Sequence, residues 1–367
     1  MLNIQLSKEE QENFKFLGIL KFWEAGYTGN NVKIMSDEKI QEQYEKTDRW
    51  KKVICPKGYQ GINGSSHGSS VMYILLQVCP DAEYYCYPFN CSGTEKTAKS
   101  DCATYIKEKG IHLFTTSNLA SSQNQAKRKL MQECIDEVGT TFFAAAGNEA
   151  AKGLLGEAKL DTYLAIGGII KDDGIWKRVS YSSIGEELDY VSIATYGTGT
   201  SYIAPIFCGM CGLVQDFFID KAGRPLHRSE LISFINDNLI DVDIKGFDVR
   251  TGNGLFILPN PEDIDIKKYC SEYKEQDKQD NKENEENIIP VIPDKEEDIM
   301  EDTNIENKTK IEMFIDKKYM YVNGEKVEID TAPFIKNGRT FVPIRFISEY
   351  LGKKVNWNDK EQKVTIE

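Results

Sequence analysis

The segment GTGTSYIAP, residues 197–205, leads into an apolar stretch that contains Gly209 and Gly212. The glycines at its start permit a tight turn, and the apolar residues after it predict a buried helix. The hydroxyl of Ser201 is therefore expected on a turn at the positive N-terminus of a helix. A serine in this place is either an ordinary helix cap or a nucleophile, depending on whether a base can reach it.

Two further motifs offer the partners that a nucleophilic serine needs. SSHGSSV, residues 65–71, puts His67 at the start of a predicted helix, in a chain with only three histidines. AAAGNE, residues 144–149, ends a predicted buried strand in Gly-Asn, where the amide of Asn148 could donate a hydrogen bond to a developing oxyanion. With both motifs present, the nucleophile is the better interpretation of Ser201.

Together these motifs resemble those of the subtilisin-like serine peptidases (subtilases). GTGTSYIAP is similar to the family's Ser box, SSHGSSV to its His box and AAAGNE to its oxyanion box. The resemblance covers residues 1 to about 258. It implies a serine endopeptidase that acts on protein or peptide substrates through an acid, His67 and Ser201, with Asn148 in the oxyanion hole.

Two adjacent carboxylates compete for the role of the triad acid. Aligned without a gap from the GYTG of residues 26–29, the family's acid falls on Glu38. A shift of one residue restores an Asp at Asp37, but it turns the side chain to the opposite face of a buried strand unless the strand bulges. We favour Glu38 and keep Asp37 as the alternative.

Two departures from the family pattern keep a second function open. The glycine that usually follows the acid is missing. The segment that matches the family's substrate-binding strand lacks its usual core; its residues are Thr115, Thr116, Ser117 and Asn118. The alternative to a peptidase is therefore a pseudo-peptidase, in which the same fold serves as a binding or scaffold protein.

Short apolar runs alternate with amphipathic segments of helical period in the first two thirds of the chain. The runs are residues 31–36, 110–115, 141–146 and 163–170, and the helical segments follow Gly68 and begin at Lys127. This alternation predicts an α/β domain with a parallel sheet and its functional loops at the carboxyl edge. We expect a subtilisin-like parallel sheet flanked by helices over residues 1–265.

The C-terminal part begins with an acidic stretch. Residues 271–308 carry 14 acidic and five basic residues, a composition that predicts a disordered tether. We therefore assign 266–308 to a linker and 309–367 to a small β-rich domain with hairpins, one of them at Asn323-Gly324, and one helix. Its GRTFVPIRFISEYLG resembles the stalk-type domain named after the copper amine oxidase N-terminus, which implies a cell-envelope ligand.

Composition excludes several classes of function. A net charge of −13 argues against a protein that binds nucleic acid through phosphate contacts or lies on an anionic membrane. No run of about 18 apolar residues predicts a membrane span. Three scattered histidines give no zinc spacing, and Cys208 and Cys211 fall on the predicted core helix, so we expect no metal or cofactor.

The cellular location is expected from weaker signals. The chain shows no signal peptide and no folding pro-domain, and its nine cysteines suit reduced thiols. We therefore expect a protein that is cytoplasmic as synthesised. The stalk-type domain adds an association with the cell envelope after release.

Overall fold

The computed structural model describes residues 6–38, 40, 53–55, 66–89, 92, 97–117, 125–150, 153–270, 311–315, 317–323, 325–336, 339–351, 353–358 and 363–366. The chain divides into two compact units. The N-terminal unit comprises residues 1–271, and the C-terminal unit comprises most of the remainder. The predicted acidic tether over 271–308 lies outside the described residues.

A ten-stranded sheet forms the centre of the N-terminal unit. Its strands are β1 (Lys33–Ser36), β2 (Val53–Ile54), β3 (Glu83–Cys86), β4 (Leu113–Thr116), β5 (Thr141–Ala145), β6 (Tyr163–Asp172), β7 (Ile175–Arg178), β8 (Leu188–Ile193), β9 (Leu239–Ile240) and β10 (Leu255–Phe256). They follow the order β2-β3-β1-β4-β5-β6-β8-β10-β9, with β7 paired to β6. All pairs are parallel except β6–β7 and β9–β10. The predicted α/β class with a mostly parallel sheet is confirmed.

Helices cover both faces of this sheet. They are α1 (Lys8–Phe16), α2 (Ile19–Glu24), α3 (Ser66–Val78), α4 (Asp101–Lys109), α5 (Gln125–Val138), α6 (Ala204–Ala222), α7 (Arg228–Asp237) and α8 (Ile266–Tyr269), with 3₁₀ turns at Gly156–Lys159, Thr200–Tyr202 and Pro261–Asp263. Two neighbours on β5 show the two layers, because side chains alternate along a strand. Phe142 packs in the apolar cluster with α4 and α5, whereas the ring of Phe143 lies 5.8 Å from that of Phe207 on α6.

Helix α6 is the core helix of the N-terminal unit. Within the described residues, Thr200–Ala222 has the length and composition of a membrane span, but 89% of its apolar window is buried inside the unit. A helix that is apolar on all sides is typical of a protein core. Cys208 and Cys211 lie on it with no exposed surface, which raises the pKa of both thiols through burial.

The last helix of the N-terminal unit lies within the range that we assigned to the linker. In α8, Tyr269 packs its ring edge-on against those of Phe218 and Phe234. The Tyr269 hydroxyl also donates a hydrogen bond to the Asp237 carboxylate at 2.8 Å. Residues 266–270 therefore belong to the packed N-terminal unit, because an aromatic side chain that buries its face cannot act as a solvated tether.

The C-terminal unit is small and rich in strands. Its elements are β11 (Ile311–Met313), β12 (Tyr319–Val322), β13 (Glu325–Glu328), β14 (Phe334–Lys336), β15 (Arg339–Phe341), α9 (Ile344–Tyr350), β16 (Val355–Asn358) and β17 (Lys363–Ile366). The strands form one three-stranded antiparallel sheet and two pairs. Asn323 has a φ of 51°, and Val322 pairs with Glu325. These values fit the predicted two-residue hairpin, because its turn requires positive φ.

Candidate active site

The candidate residues meet at one edge of the sheet. Strand β1 lies between β3 and β4, where the strand order switches sides. Asp37 and Glu38 follow β1, Ser117 follows β4, and Asn148 lies three residues after β5. Because the carboxyl ends of parallel strands form a crevice at such a switch point, residues far apart in sequence come together here.

Glu38 and His67 form an acid–base contact at this edge. Oε1 of Glu38 lies 3.2 Å from Nδ1 of His67, which is the second residue of α3. The Glu38 side chain is 4% exposed and that of His67 is 37% exposed. The interaction with the Glu38 carboxylate raises the pKa of His67, although partial burial of the ring acts in the opposite direction. The carboxylate therefore lies against the imidazole and favours its protonated form.

Asp37 points to the other side of the strand end. Its Oδ2 accepts a hydrogen bond from Oγ1 of Thr116 at 2.8 Å, and the residue is 8% exposed. Burial and the neighbouring carboxylate of Glu38 raise the pKa of Asp37 to about 7. The two adjacent acids thus face different partners, as the alternation of side chains along an extended segment requires.

Ser201 lies on the 3₁₀ turn that precedes α6. Gly199, which begins this turn, has a φ of 147°, a conformation that favours glycine. The Ser117 hydroxyl donates to the Ser201 carbonyl oxygen at 2.9 Å, and the Ser201 hydroxyl donates to the Ser117 carbonyl oxygen at 3.5 Å. The ring of the next residue, Tyr202, lies 5.8 Å from that of His67 between centroids. The serine turn is therefore attached to the end of β4 and adjoins the histidine.

Asn148 is held by the residue before the serine. Its Oδ1 accepts hydrogen bonds from the backbone N–H of Thr200 at 2.8 Å and from the Thr200 hydroxyl at 3.1 Å. The same hydroxyl accepts from the N–H of Gly147 at 3.0 Å. Because Oδ1 is occupied by two donors, the amide orientation is set and Nδ2 is left as the donor. A Cβ at Gly199 would lie 3.4 Å from this Nδ2, which places the amide beside the serine turn.

Three solved structures that are similar to this chain are named as proteases or as a related enzyme. A lanthipeptide protease matches with a TM-score of 0.53 and 15% identity over 68% of this chain and 95% of its own. The prenylagaramide maturation protease PagA matches with a TM-score of 0.52 and 18% identity over 70% of this chain and 99% of its own. Fervidolysin from Fervidobacterium pennivorans, a keratinolytic enzyme related to subtilisin, matches with a TM-score of 0.53 and 13% identity; the match spans 68% of this chain and 46% of fervidolysin. The N-terminal unit has a subtilisin-like fold.

The sequence of the C-terminal unit matches a family model. Residues 297–366 match the family model of the copper amine oxidase N-terminal domain. The predicted identity of this domain is therefore confirmed. A comparison with curated protein sequences gave no match.

The segment predicted to bind substrate uses most of its side chains for contacts within the N-terminal unit. Thr115 and Thr116 have at most 1% of their surface exposed, and Thr116 bonds to Asp37. Ser117 bonds to the serine turn. Asn118 lies outside the described residues. A substrate could therefore meet this segment through its backbone or near Ser117, but not through the buried threonine side chains.

Thr200 is the residue of this site that the sequence analysis did not single out. It is fully buried and joins Gly147, Asn148 and the serine turn through the bonds described above. Its signal in the sequence is its position directly before Ser201, in the motif GTGTSYIAP, whose glycines and serine alone indicated a function. A hydroxyl at this position is informative only once the segment after β5, which carries Asn148, is known to lie beside it.

One cavity of the N-terminal unit lies away from this edge of the sheet. In the part of the chain that the structure describes, no group of three or more His, Cys, Asp or Glu side chains could hold a metal ion. A cavity of about 610 Å³ lies at the opposite, amino-terminal edge of the sheet, where Lys33, Glu83 and His112 contribute to its lining.

Proposed function

We propose that the protein is a serine endopeptidase that hydrolyses protein or peptide substrates with Glu38, His67 and Ser201. The observation that carries the proposal is the 3.2 Å contact of the buried Glu38 carboxylate with Nδ1 of His67, beside the turn that bears Ser201. A carboxylate on one ring nitrogen directs the other nitrogen, Nε2, toward the serine side. This arrangement follows the acid, histidine and serine roles of the triad mechanism.

In the proposed mechanism, Ser201 Oγ attacks the scissile carbonyl carbon while His67 takes the hydroxyl proton. His67 later gives this proton to the leaving amine, and Glu38 stabilises the imidazolium formed in between. A hydroxyl has one proton to donate, and Ser201 donates it to the Ser117 carbonyl oxygen at 3.5 Å. Rotation of the Ser201 side chain toward His67 is therefore the first step of the reaction.

The oxyanion of the tetrahedral intermediate would be held by Nδ2 of Asn148 and the backbone N–H of Ser201. The two bonds from Thr200 to Oδ1 of Asn148 support this role, because they leave Nδ2 as the donor. Loss of one such donor typically lowers kcat by about 10²–10³-fold. The orientation of Asn148 should therefore matter as much as its presence.

Thr200→Val tests this orientation. Valine keeps the shape but removes the hydroxyl, which leaves the buried Gly147 N–H without its acceptor and Asn148 with one donor instead of two. The expected cost is about 1–3 kcal/mol in the free energy of unfolding and a loss in kcat smaller than the ~10²–10³-fold of removing the donor itself. Denaturant unfolding and steady-state kinetics measure both. Thr200→Ser, which keeps the hydroxyl, is the control, and a Thr200→Val variant equal to wild type in both would contradict the assignment.

For the C-terminal unit we propose binding of a cell-envelope ligand. The match to the copper amine oxidase N-terminal domain and the resemblance of that module to stalk-type surface domains support the proposal. Such a unit would carry the peptidase to envelope substrates after release of the protein from the cytoplasm. Two of the similar structures are named as proteases of lanthipeptides and of prenylagaramide maturation, so peptides as well as proteins belong in a substrate screen.

A fluorophosphonate probe tests the peptidase function directly. The probe phosphonylates a serine only where a base activates it, so labelling of the full chain with Ser201 as the modified residue is expected. The modified residue can be located by mass spectrometry of the labelled protein. A folded protein that resists labelling and leaves a peptide library intact would instead be a pseudo-peptidase with a binding or scaffold role.

A further inference from the structure

Four polar side chains are buried together beneath the site, on the side of the sheet that faces α4 and α5. Asp37 accepts from Thr116 at 2.8 Å, and Lys127 forms an ion pair with Glu157 at 2.5 Å. At most 8% of any of these four residues is exposed. Buried charges are costly unless they are paired and hydrogen-bonded. The pairing of these four groups offsets that cost and fixes their positions relative to one another.

The Asp37–Thr116 bond lies in a continuous path between the acid and the serine. Asp37 directly precedes Glu38 at the end of β1, and Thr116 directly precedes Ser117 at the end of β4. Strands β1 and β4 are paired only as far as Ser36 and Thr115. The side-chain bond from Thr116 to Asp37 thus continues the attachment of the two strands beyond their last backbone pair, and Ser117 attaches β4 to the Ser201 turn.

We infer that Asp37 is a positioning residue, which fixes Glu38 against His67 through the hydrogen bond that it accepts from Thr116. The inference rests on the proposed peptidase function. Asp37 acts through the strand end, whereas Glu38 contacts the base itself. Since a displacement of about 1 Å at a catalytic group can cost about 10²-fold in rate, a clamp of this kind next to the acid has a measurable effect.

The charge of Asp37 is a second, separable property. Several groups interact electrostatically with its carboxylate: Glu38 on the same segment, Lys127 from α5, Glu157 from the 3₁₀ turn, Cys102 from α4 and Tyr163 from β6. The Asp37 charge also contributes to the raised pKa of His67. An asparagine retains an acceptor for the Thr116 hydroxyl but carries no charge. Comparison of Asp37→Asn with Thr116→Val therefore separates the effect of the Thr116–Asp37 hydrogen bond from the effect of the Asp37 charge.

The experiment measures kcat, KM and the rate of fluorophosphonate labelling for the full chain. Thr116→Val, which removes the donor, should lower kcat and the labelling rate by about tenfold to 10²-fold with KM unchanged. Thr116→Ser should restore both rates. Asp37→Asn should keep kcat within about tenfold of wild type. Thr141→Val is the matched control, because the Thr141 hydroxyl is also buried and has no hydrogen-bond partner among the described residues.

The His67 ring titration, followed by NMR in a chain with three histidines, gives a readout that does not need turnover. Thr116→Val should lower the pKa of His67 further than Asp37→Asn does, because it lets the Glu38 carboxylate move away as well as weakening the charge of Asp37, whereas Thr141→Val should leave the pKa unchanged. Full kcat in Thr116→Val, or a loss equal to that of Thr141→Val, overturns the inference.

A rise in KM at constant kcat also overturns it, because Thr116 would then act in substrate binding. A wild type that is neither labelled nor active overturns the proposed function. In that case a His67 pKa in Thr116→Val that is unchanged, or no lower than in Asp37→Asn, still overturns the positioning role of Asp37, and a pKa lower than in Asp37→Asn supports it.

Discussion

Ser201→Ala is expected to reduce peptide hydrolysis by about 10⁶-fold and to abolish labelling by a fluorophosphonate. The reason is that the Ser201 hydroxyl is the group that His67 would deprotonate, and no covalent intermediate forms without it. Activity is measured on a peptide library and labelling by mass spectrometry of the full chain. Because Ser201 is half-buried and its backbone bonds remain, the free energy of unfolding should stay within about 1 kcal/mol of wild type.

The control for this variant is its stability. A Ser201→Ala protein that unfolds at the wild-type denaturant concentration but has lost activity identifies the nucleophile, because loss of fold is excluded. Persistent labelling would show that another residue is the nucleophile, and the assignment of His67 and Asn148 around Ser201 would fail with it.

Glu38→Gln is expected to lower kcat by about 10⁴-fold, the usual cost of replacing the triad acid by its amide. Glutamine has nearly the same shape, but it cannot stabilise the imidazolium and it can stabilise the wrong tautomer of His67. The acid at the adjacent position, Asp37, faces Thr116 instead, so Asp37→Asn should cost less than about tenfold. Steady-state kinetics of the two isosteric variants provide matched controls for each other.

The pH dependence of kcat/KM provides a second test of Glu38, because the direction in which the profile shifts can be predicted. Glu38 raises the pKa of His67, so wild type should lose activity as the pH falls through a value above the ordinary 6.5 of histidine. Glu38→Gln removes that charge and should move this acid limb to lower pH, while the plateau falls. Equal losses in both variants, or the larger loss in Asp37→Asn, would contradict the assignment of Glu38 as the triad acid.

The local sequence was enough to predict the α/β class and four adjacent strands at the centre of the main sheet. The apolar runs that predict β1, β4, β5 and β6 are short and flanked by polar residues, and the structure has strands in all four. The helix after Gly68 and the one that begins near Lys127 were predicted from a period of 3.6 residues, which tertiary context did not override. The bounds of the four strands differ by a few residues from those of the predicted apolar runs, because pairing with neighbouring strands decides where a strand ends.

The side on which each acid lies was also within reach of the sequence. In an extended segment, adjacent side chains point to opposite faces, so Glu38 and Asp37 could not both meet His67. The structure brings Glu38 to His67 and Asp37 to Thr116. The alternation required only that one of the two acids turn away from His67, and the gap-free alignment with the family motif is what favoured Glu38.

Only the tertiary structure decided which distant residues support the site. Thr200 holds Asn148 across 52 positions, and Thr116 holds Asp37 across 79. Such pairs carry no periodic signal, because their geometry depends on how β1, β4 and β5 are placed beside one another and beside the turn before α6. The sequence by itself therefore determined the elements and the chemical groups available. The order of the strands determined their partners, because a hydrogen bond of 2.8 Å exists only where two chain segments have already been packed together.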